Sequence, residues 1–157
     1  MPAEPRWLTL DEVLKIHDTQ LAKFGGLAGV KDMGLVESAV NNPRNLFHYG
    51  GEEDLIVLAA RLCMAIADTQ HFNDGNKRTA AVALLAFLEA NSYTLDFTND
   101  LSLALLILAC VNAQIDHDEF ADQIAEHIIE LPEDRHELLE KLQMRKADLI
   151  ATWFGDD

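Results

Sequence analysis

The residues from Leu55 to Asp68 are apolar on almost every side of the helix that their spacing predicts. Such a helix has no face to offer to water, so other elements must enclose it. That requirement points to a helical bundle with this segment in its middle. A second apolar helical pattern runs from Lys77 to Asn91, with Ala81, Leu84, Leu85 and Leu88 as its core positions. Leu and Ala dominate the apolar residues and β-branched runs are few, which leans the chain toward an all-α fold. A length of 157 residues gives one domain with a real core, and is too short for two comfortable ones.

Between the two central helices lies Gln70-His71-Phe72-Asn73-Asp74-Gly75-Asn76-Lys77-Arg78, followed by Thr79-Ala80-Ala81. Asn73, Asp74, Gly75 and Asn76 break the first helix, because Asn and Asp compete for their own backbone and Gly admits φ > 0. The second helix then starts near Asn76 or Lys77 with its first amides unpaired. Free N–H groups and the positive end of the helix dipole attract anions to such an end. Lys77 and Arg78 add full positive charge there, and Asp74 can hold a divalent cation against bound phosphate. From chemistry alone this is a candidate polyphosphate site. A calcium loop is the competing motif, but Asp68 to Asn76 lacks oxygen ligands at alternating positions and a closing Glu.

The rest of the chain supplies the shell. Thr9-Leu10-Asp11-Glu12 reads as a capping box for an amphipathic helix to about Lys23. Phe24 to Gly29 is glycine-rich without the Gly-Lys-Ser/Thr ending of a P-loop, so a tight turn between helices is expected. A short helix is predicted from Met33 to Asn41, stopped by Asn42-Pro43. Residues 42 to 53 show no clear period. Asp54 is expected to cap the central helix, and Tyr93 to Phe97 alternates briefly as an extended piece. A helix capped by Thr98 or Asn99 and running to about Asn112 follows. Asp116-His117-Asp118-Glu119 then resembles a capping box for a helix ending near Leu131. From Pro132 onward, Leu138, Leu142, Leu149 and Trp153 recur at helical spacing. They predict one more helix, either packed on the bundle or, through Trp153 and Phe154, serving docking or homodimerisation.

The Gln70–Arg78 stretch resembles the signature of the Fic/Doc (Fido) family, His-x-Phe-x-Asp/Glu-Gly/Ala-Asn-Lys/Gly-Arg. Lys77, where many Fic proteins have a second Gly, makes it similar to the Doc, "death on curing", branch. The upstream run Gly25 to Ala39 also looks like the Gly-Gly-x-x-Gly-Val-x-Asp-x-Gly-Leu-x-Glu-Ser-Ala of Doc-like chains. The resemblance implies a Fido-type bundle over residues 7–131 and a C-terminal helical extension over 132–157. It implies ATP and Mg²⁺ as cofactors, with Gly75, Asn76, Lys77 and Arg78 on the phosphates and Asp74 on the metal. For residues 42 to 53 it implies a flap that holds an extended piece of the target by strand addition. The implied activity is AMP transfer to a protein hydroxyl, or γ-phosphate transfer in the Doc branch, whose target class is elongation factor Tu. The implied partner is a separate antitoxin, since no inhibitory Ser/Thr-x-x-x-Glu-Gly/Asn helix is found in the chain.

One position departs from the signature. The family's catalytic His stands two residues before the Phe, and here that position is Gln70. A carboxamide can orient a hydroxyl but has no usable basicity near neutral pH. Loss of a positioned general base typically costs about 10²- to 10⁴-fold in rate, or roughly 3 to 5.5 kcal/mol. Phosphoryl transfer leans heavily on positioning and charge, which leaves room for residual turnover. His71 is a candidate substitute, although one residue along a helix turns a side chain by about 100°. Three readings stay open: a Doc-like enzyme impaired by Gln70, natural or introduced; a non-catalytic Fido remnant that sequesters a partner; and an enzyme using His71.

The formal net charge is −15, from 27 acidic against 12 basic residues, which disfavours nucleic acid and anionic lipid and suits a basic protein partner. The longest apolar run, Leu101 to Val111, falls short of the roughly 20 residues that span a bilayer. The N-terminal residues show no hydrophobic signal region, so a cytoplasmic protein without a membrane partner is expected. Cys63 and Cys110 lie in apolar helical patterns and are expected to be buried thiols. His17, His48, His117, His127 and His136 form no metal pattern and are expected on the surface or satisfied in the core.

Overall fold

Thr9 caps the first helix as its sequence predicts: its side chain accepts from Glu12 N–H and the Glu12 carboxylate accepts from Thr9 N–H. The computed structural model describes residues 3–68, 71–96 and 103–134, with 137 and 140. Among them are six helices and one small sheet: α1 (Leu10–Phe24), α2 (Met33–Gly50), α3 (Leu55–Ala67), α4 (Asn76–Ala90), β1 (Tyr93–Leu95), α5 (Leu103–Val111), α6 (His117–Ala125) and β2 (Ile128–Glu130). The fold is all-α, a helical bundle. Helix α3 is its axis, capped by Asp54, whose carboxylate accepts from Ile56 and Val57 N–H. Helices α2, α4, α5 and α6 pack around it, and α1 packs on α4. Leu58, Leu62, Cys63, Met64 and Ile66 are buried against Leu84, Leu85, Phe87 and Leu88 in one continuous core.

Two expectations fail, both where tertiary packing overrides a local signal. Helix α2 does not stop at Asn42-Pro43; it runs on to Gly50, with Gly51 in the left-handed conformation as its C-cap. Pro43 removes one helical N–H, but it lies on the buried stripe Val36, Ala39, Val40, Pro43, which Leu46 and Phe47 continue against the core. The 3–4 spacing of that stripe outweighs the proline. Residues 42 to 50 are therefore helix and not an extended flap. Likewise α6 stops at Ala125, and β2 follows where helix was expected to about Leu131. The β-branched pair Ile128-Ile129 lies antiparallel on β1, in the register Thr94↔Ile129 and Leu95↔Ile128. The predicted caps Thr98 and Asn99, together with Leu138, Leu142, Leu149, Trp153 and Phe154, lie outside the described residues. No described helix is long and apolar enough to cross a membrane.

The N-terminal strap closes the bundle at the far end of α4. Trp7 stacks on Phe87 at 5.9 Å and meets Phe47 edge-on at 5.6 Å. Its indole N–H donates to Glu4, whose carboxylate also lies 2.6 Å from His48 Nε2. The Trp7 bond foremost, and then His48, hold the Glu4 carboxyl below its usual range. With the folded-state value lowered, this tie is present above the ordinary carboxylate range and is lost as pH falls. Acidification should therefore shift the Trp7 indole N–H resonance before global unfolding; an indole signal constant down to the unfolding pH would exclude the tie.

Cys63 and Cys110 are free and buried, and burial pushes both thiols up because it penalises the thiolate. At pH 8 iodoacetamide should leave Cys63 unmodified in the native protein and label it in denaturant. Rapid native labelling of Cys63 would contradict this burial.

Candidate functional site

The glycine-rich run after α1 does more than turn the chain: it is zipped to the loop that joins α3 to α4. Val30 forms an antiparallel bridge with Phe72, flanked by Lys31 N–H to His71 C=O (2.8 Å) and Asn73 N–H to Gly29 C=O (3.1 Å). Asn73 Nδ2 donates to Ala28 C=O, Leu27 N–H to Asp74 Oδ2, and Arg78 Nη2 to Gly25 C=O. Residues 25 to 31 thus touch one residue after another of the signature. Gly26 has φ +125°, and a Cβ there would lie 2.9 Å from Leu21 and 3.0 Å from Asp74 Oδ2. Only glycine lets the strap approach the Asp74 carboxylate this closely.

Within the loop, Asn76 clamps Phe72. Its Oδ1 accepts from Phe72 N–H at 3.0 Å and its Nδ2 donates to Phe72 C=O at 3.1 Å. Phe72 is buried and its ring stacks on His17 at 3.8 Å, with 13° between the planes. His17 Nε2 donates in turn to the Asp74 carbonyl at 2.8 Å. His17 sits on the buried stripe of α1, with Val13 and Gln20 at helical spacing. The sequence predicts an amphipathic helix here, with His17 expected on the surface or satisfied in the core and assigned no contact with the signature.

Helix α4 opens at Gly75 without a side-chain cap, and the amides of Asn76, Lys77 and Arg78 have no recorded partner among the described residues. Arg78 is fully buried. Beyond the bond to Gly25, its Nε and Nη1 find no acceptor among the described residues, and its guanidinium lies 5.6 Å from the centre of the Phe24 ring. A buried cation with two idle donor atoms is costly unless an acceptor meets them, and an anion would also balance the charge. Lys77 is partly exposed in the same helical turn.

Asp74 is partly exposed, and each carboxylate oxygen accepts one amide, Gly75 N–H at 3.0 Å and Leu27 N–H at 3.2 Å, leaving further lone pairs. No group of three or more His, Cys, Asp or Glu that could hold a metal occurs among the described residues. The donor set suits a hard cation that takes one protein carboxylate and draws its other ligands from phosphate and water, as Mg²⁺ does. Asp74, Gly75, Asn76, Lys77 and Arg78 are therefore brought together. His71 is buried, at 7% exposure, and packs beside them. Gln70 lies outside the described residues.

A model of the Fic/DOC family matches residues 7–88, just over half of the chain. The chain belongs to the Fic/Doc family. Among its curated relatives, "Protein kinase doc" of Escherichia phage P1 is 29% identical over 119 residues, covering 76% of this chain and 93% of the relative. "Toxin Doc" of Mycolicibacterium smegmatis is 38% identical over 80 residues, or 49% of this chain and 62% of the relative. Both matches place this Fic/Doc chain beside the Doc members named in them.

Gly26→Ala forces a Cβ against Asp74 at positive φ, whereas Gly25→Ala meets open space at φ +77°. Urea unfolding should show Gly26→Ala destabilised by about 1–3 kcal/mol and by more than Gly25→Ala. Equal costs would mean that the strap does not hold Asp74.

Proposed function

We propose that this chain is a Doc-type toxin of a toxin–antitoxin pair, built to transfer phosphate, or AMP, from ATP to a hydroxyl of a target protein. The observation that carries this reading is Arg78: a fully buried guanidinium with two unused donors beside the uncapped end of α4. A bound anion would satisfy both features at once. The names of the two relatives, a protein kinase and a toxin, support the same assignment. Lys77 supports the Doc branch, and with it γ-phosphate transfer.

In this reading the α4 amides and Asn76 cradle phosphate, and Arg78 receives its charge-assisted bonds. Asp74 would hold Mg²⁺, which when bound offsets charge on the phosphates. Lys77 biases how the polyphosphate lies. The strap offers the target a place to dock. Val30 and Phe72 form a pair whose flanking bonds point inward, so the N–H and C=O of Val30 itself point outward. One extended residue of a target can pair there, a role expected of residues 42 to 53 and moved here because 42 to 50 are helical. Elongation factor Tu is the proposed target class, a separate antitoxin the proposed partner, and residues 132–157 a proposed extension with a homodimer contact.

Gln70 stands where a general base is needed, so turnover is proposed to be impaired while the phosphate site stays intact. Gln70 also supports the second reading, a protein that binds nucleotide or partner without transferring anything. His71, buried beside the loop, is better placed to pack than to take a proton from an incoming hydroxyl.

The chain and its Gln70→His variant should be incubated with bacterial lysate and Mg²⁺-ATP, labelled in parallel at the α- or γ-phosphate. Transfer of γ-label by the variant, at least about 100-fold above the parent, is expected. α-Label would instead identify AMP transfer. Equal transfer by both chains would show that Gln70 is no impairment and send attention to His71. No transfer by either, with ATP still bound, would favour the binding protein.

A further inference from the structure

We infer that His17 is a positioning residue of the site, and that it acts by locking the Asp74–Gly75 peptide plane; this rests on the nucleotide reading above. Gly75 has φ +76°, and glycine accepts either sign of φ at little cost. A peptide flip changes the ψ of the residue before it and the φ of the residue after it. The Asp74–Gly75 plane is therefore the one link in the loop that its own sequence leaves free to turn over. All peptide bonds in the described chain are trans, so the Asp74 C=O and the Gly75 N–H point in opposite directions.

His17 decides between the two orientations. A carbonyl oxygen can only accept, so Nε2 carries the proton in the 2.8 Å bond to Asp74. With the C=O drawn down to α1, the Gly75 N–H faces the other way and takes Asp74 Oδ1 at 3.0 Å. One bond made below the loop thus sets the amide and the carboxylate above it. A flipped plane would turn a carbonyl oxygen toward the anion space and release the carboxylate. The imidazole itself cannot swing away easily. It is 1% exposed, stacked on Phe72 at 3.8 Å, and Phe72 is clamped by Asn76. Its other nitrogen lies 3.8 Å from the exposed carboxylate of Asp18, beyond hydrogen-bonding distance.

Two variants of the full chain separate the bond from the stack. H17F keeps an aromatic ring on Phe72 and loses the donor, while H17Q keeps an N–H donor at similar reach and loses the ring. The direct readout is the Gly75 backbone amide in ¹H–¹⁵N spectra of the ligand-free protein. One resonance is expected in the parent and in H17Q. In H17F it should split or broaden, with hydrogen exchange about 10-fold faster. An unchanged Gly75 amide in H17F, or a parent amide already in two states, overturns the lock. If H17F does not fold, H17M, which also lacks a donor, takes its place.

The second readout is Mg²⁺-ATP affinity by titration calorimetry. The parent should bind about 10-fold more tightly than H17F, and H17Q should lie within about 3-fold of the parent. Equal affinity in H17F despite a disturbed Gly75 amide would overturn the positioning role. A parent that binds no Mg²⁺-ATP would sink the nucleotide reading by itself, because the Gly75 amide still reports on the lock.

Discussion

Helix α3 has no polar face, and the arrangement of the rest follows from enclosing it. With α2, α4, α5 and α6 around it, both of its ends must emerge at the surface between other helices. Its N-terminal end is settled locally by the Asp54 cap. The C-terminal end cannot be settled that way, since the chain must reverse at once into α4 through a short polar turn. That turn is the signature loop. From His71 to Asp74 its backbone is hydrogen-bonded from three sides: the glycine strap, the Asn76 clamp and His17. The same burial that makes α3 the axis therefore leaves a helix N-terminus, a carboxylate and a buried arginine at one fixed place.

Much of this was legible beforehand, and the reasons are physical. The all-round apolar pattern of α3, the caps at Thr9 and Asp54, and the break at Asn73 to Gly75 are local signals that the fold does not oppose. What misled was a local signal set against a packing one. Pro43 argues for a helix stop, but the buried stripe of α2 runs straight through it. Ile128-Ile129 can sit in a helix or a strand, and pairing with β1 decides the matter. Long-range contacts were hidden altogether. No spacing rule relates Gly25 to Arg78 or His17 to Asp74, residues 53 and 57 positions apart. The hint available was the presence of His17 and Gln20 on an otherwise core-facing stripe of α1.

The charge pattern sharpens the contrast between site and surface. A chain of net charge −15 repels polyanions at long range. Its site nevertheless gathers two cations and a free helix end. Screening reconciles these facts, because charges farther apart than about 8–10 Å interact weakly at physiological salt. At contact distance the buried Arg78 is screened far less, so on the proposed reading local geometry, not net charge, holds the anion.

In the proposed reading, a general base at position 70 and the anion site act at different stages of the reaction. Among the described residues, the side chains of Asp74, Asn76 and Arg78 and the Asp74 carbonyl are hydrogen-bonded by α1, the glycine strap and the loop from Phe72 onward. A general base acts only while a proton is in transit, so its replacement removes transition-state stabilisation and spares ground-state binding. On that proposal, a Fic/Doc chain with Gln70 retains affinity for nucleotide while turning it over slowly. That combination is what distinguishes a disabled transferase from a loop that has lost its chemistry altogether, in which the idle donors of Arg78 would have no anion to meet.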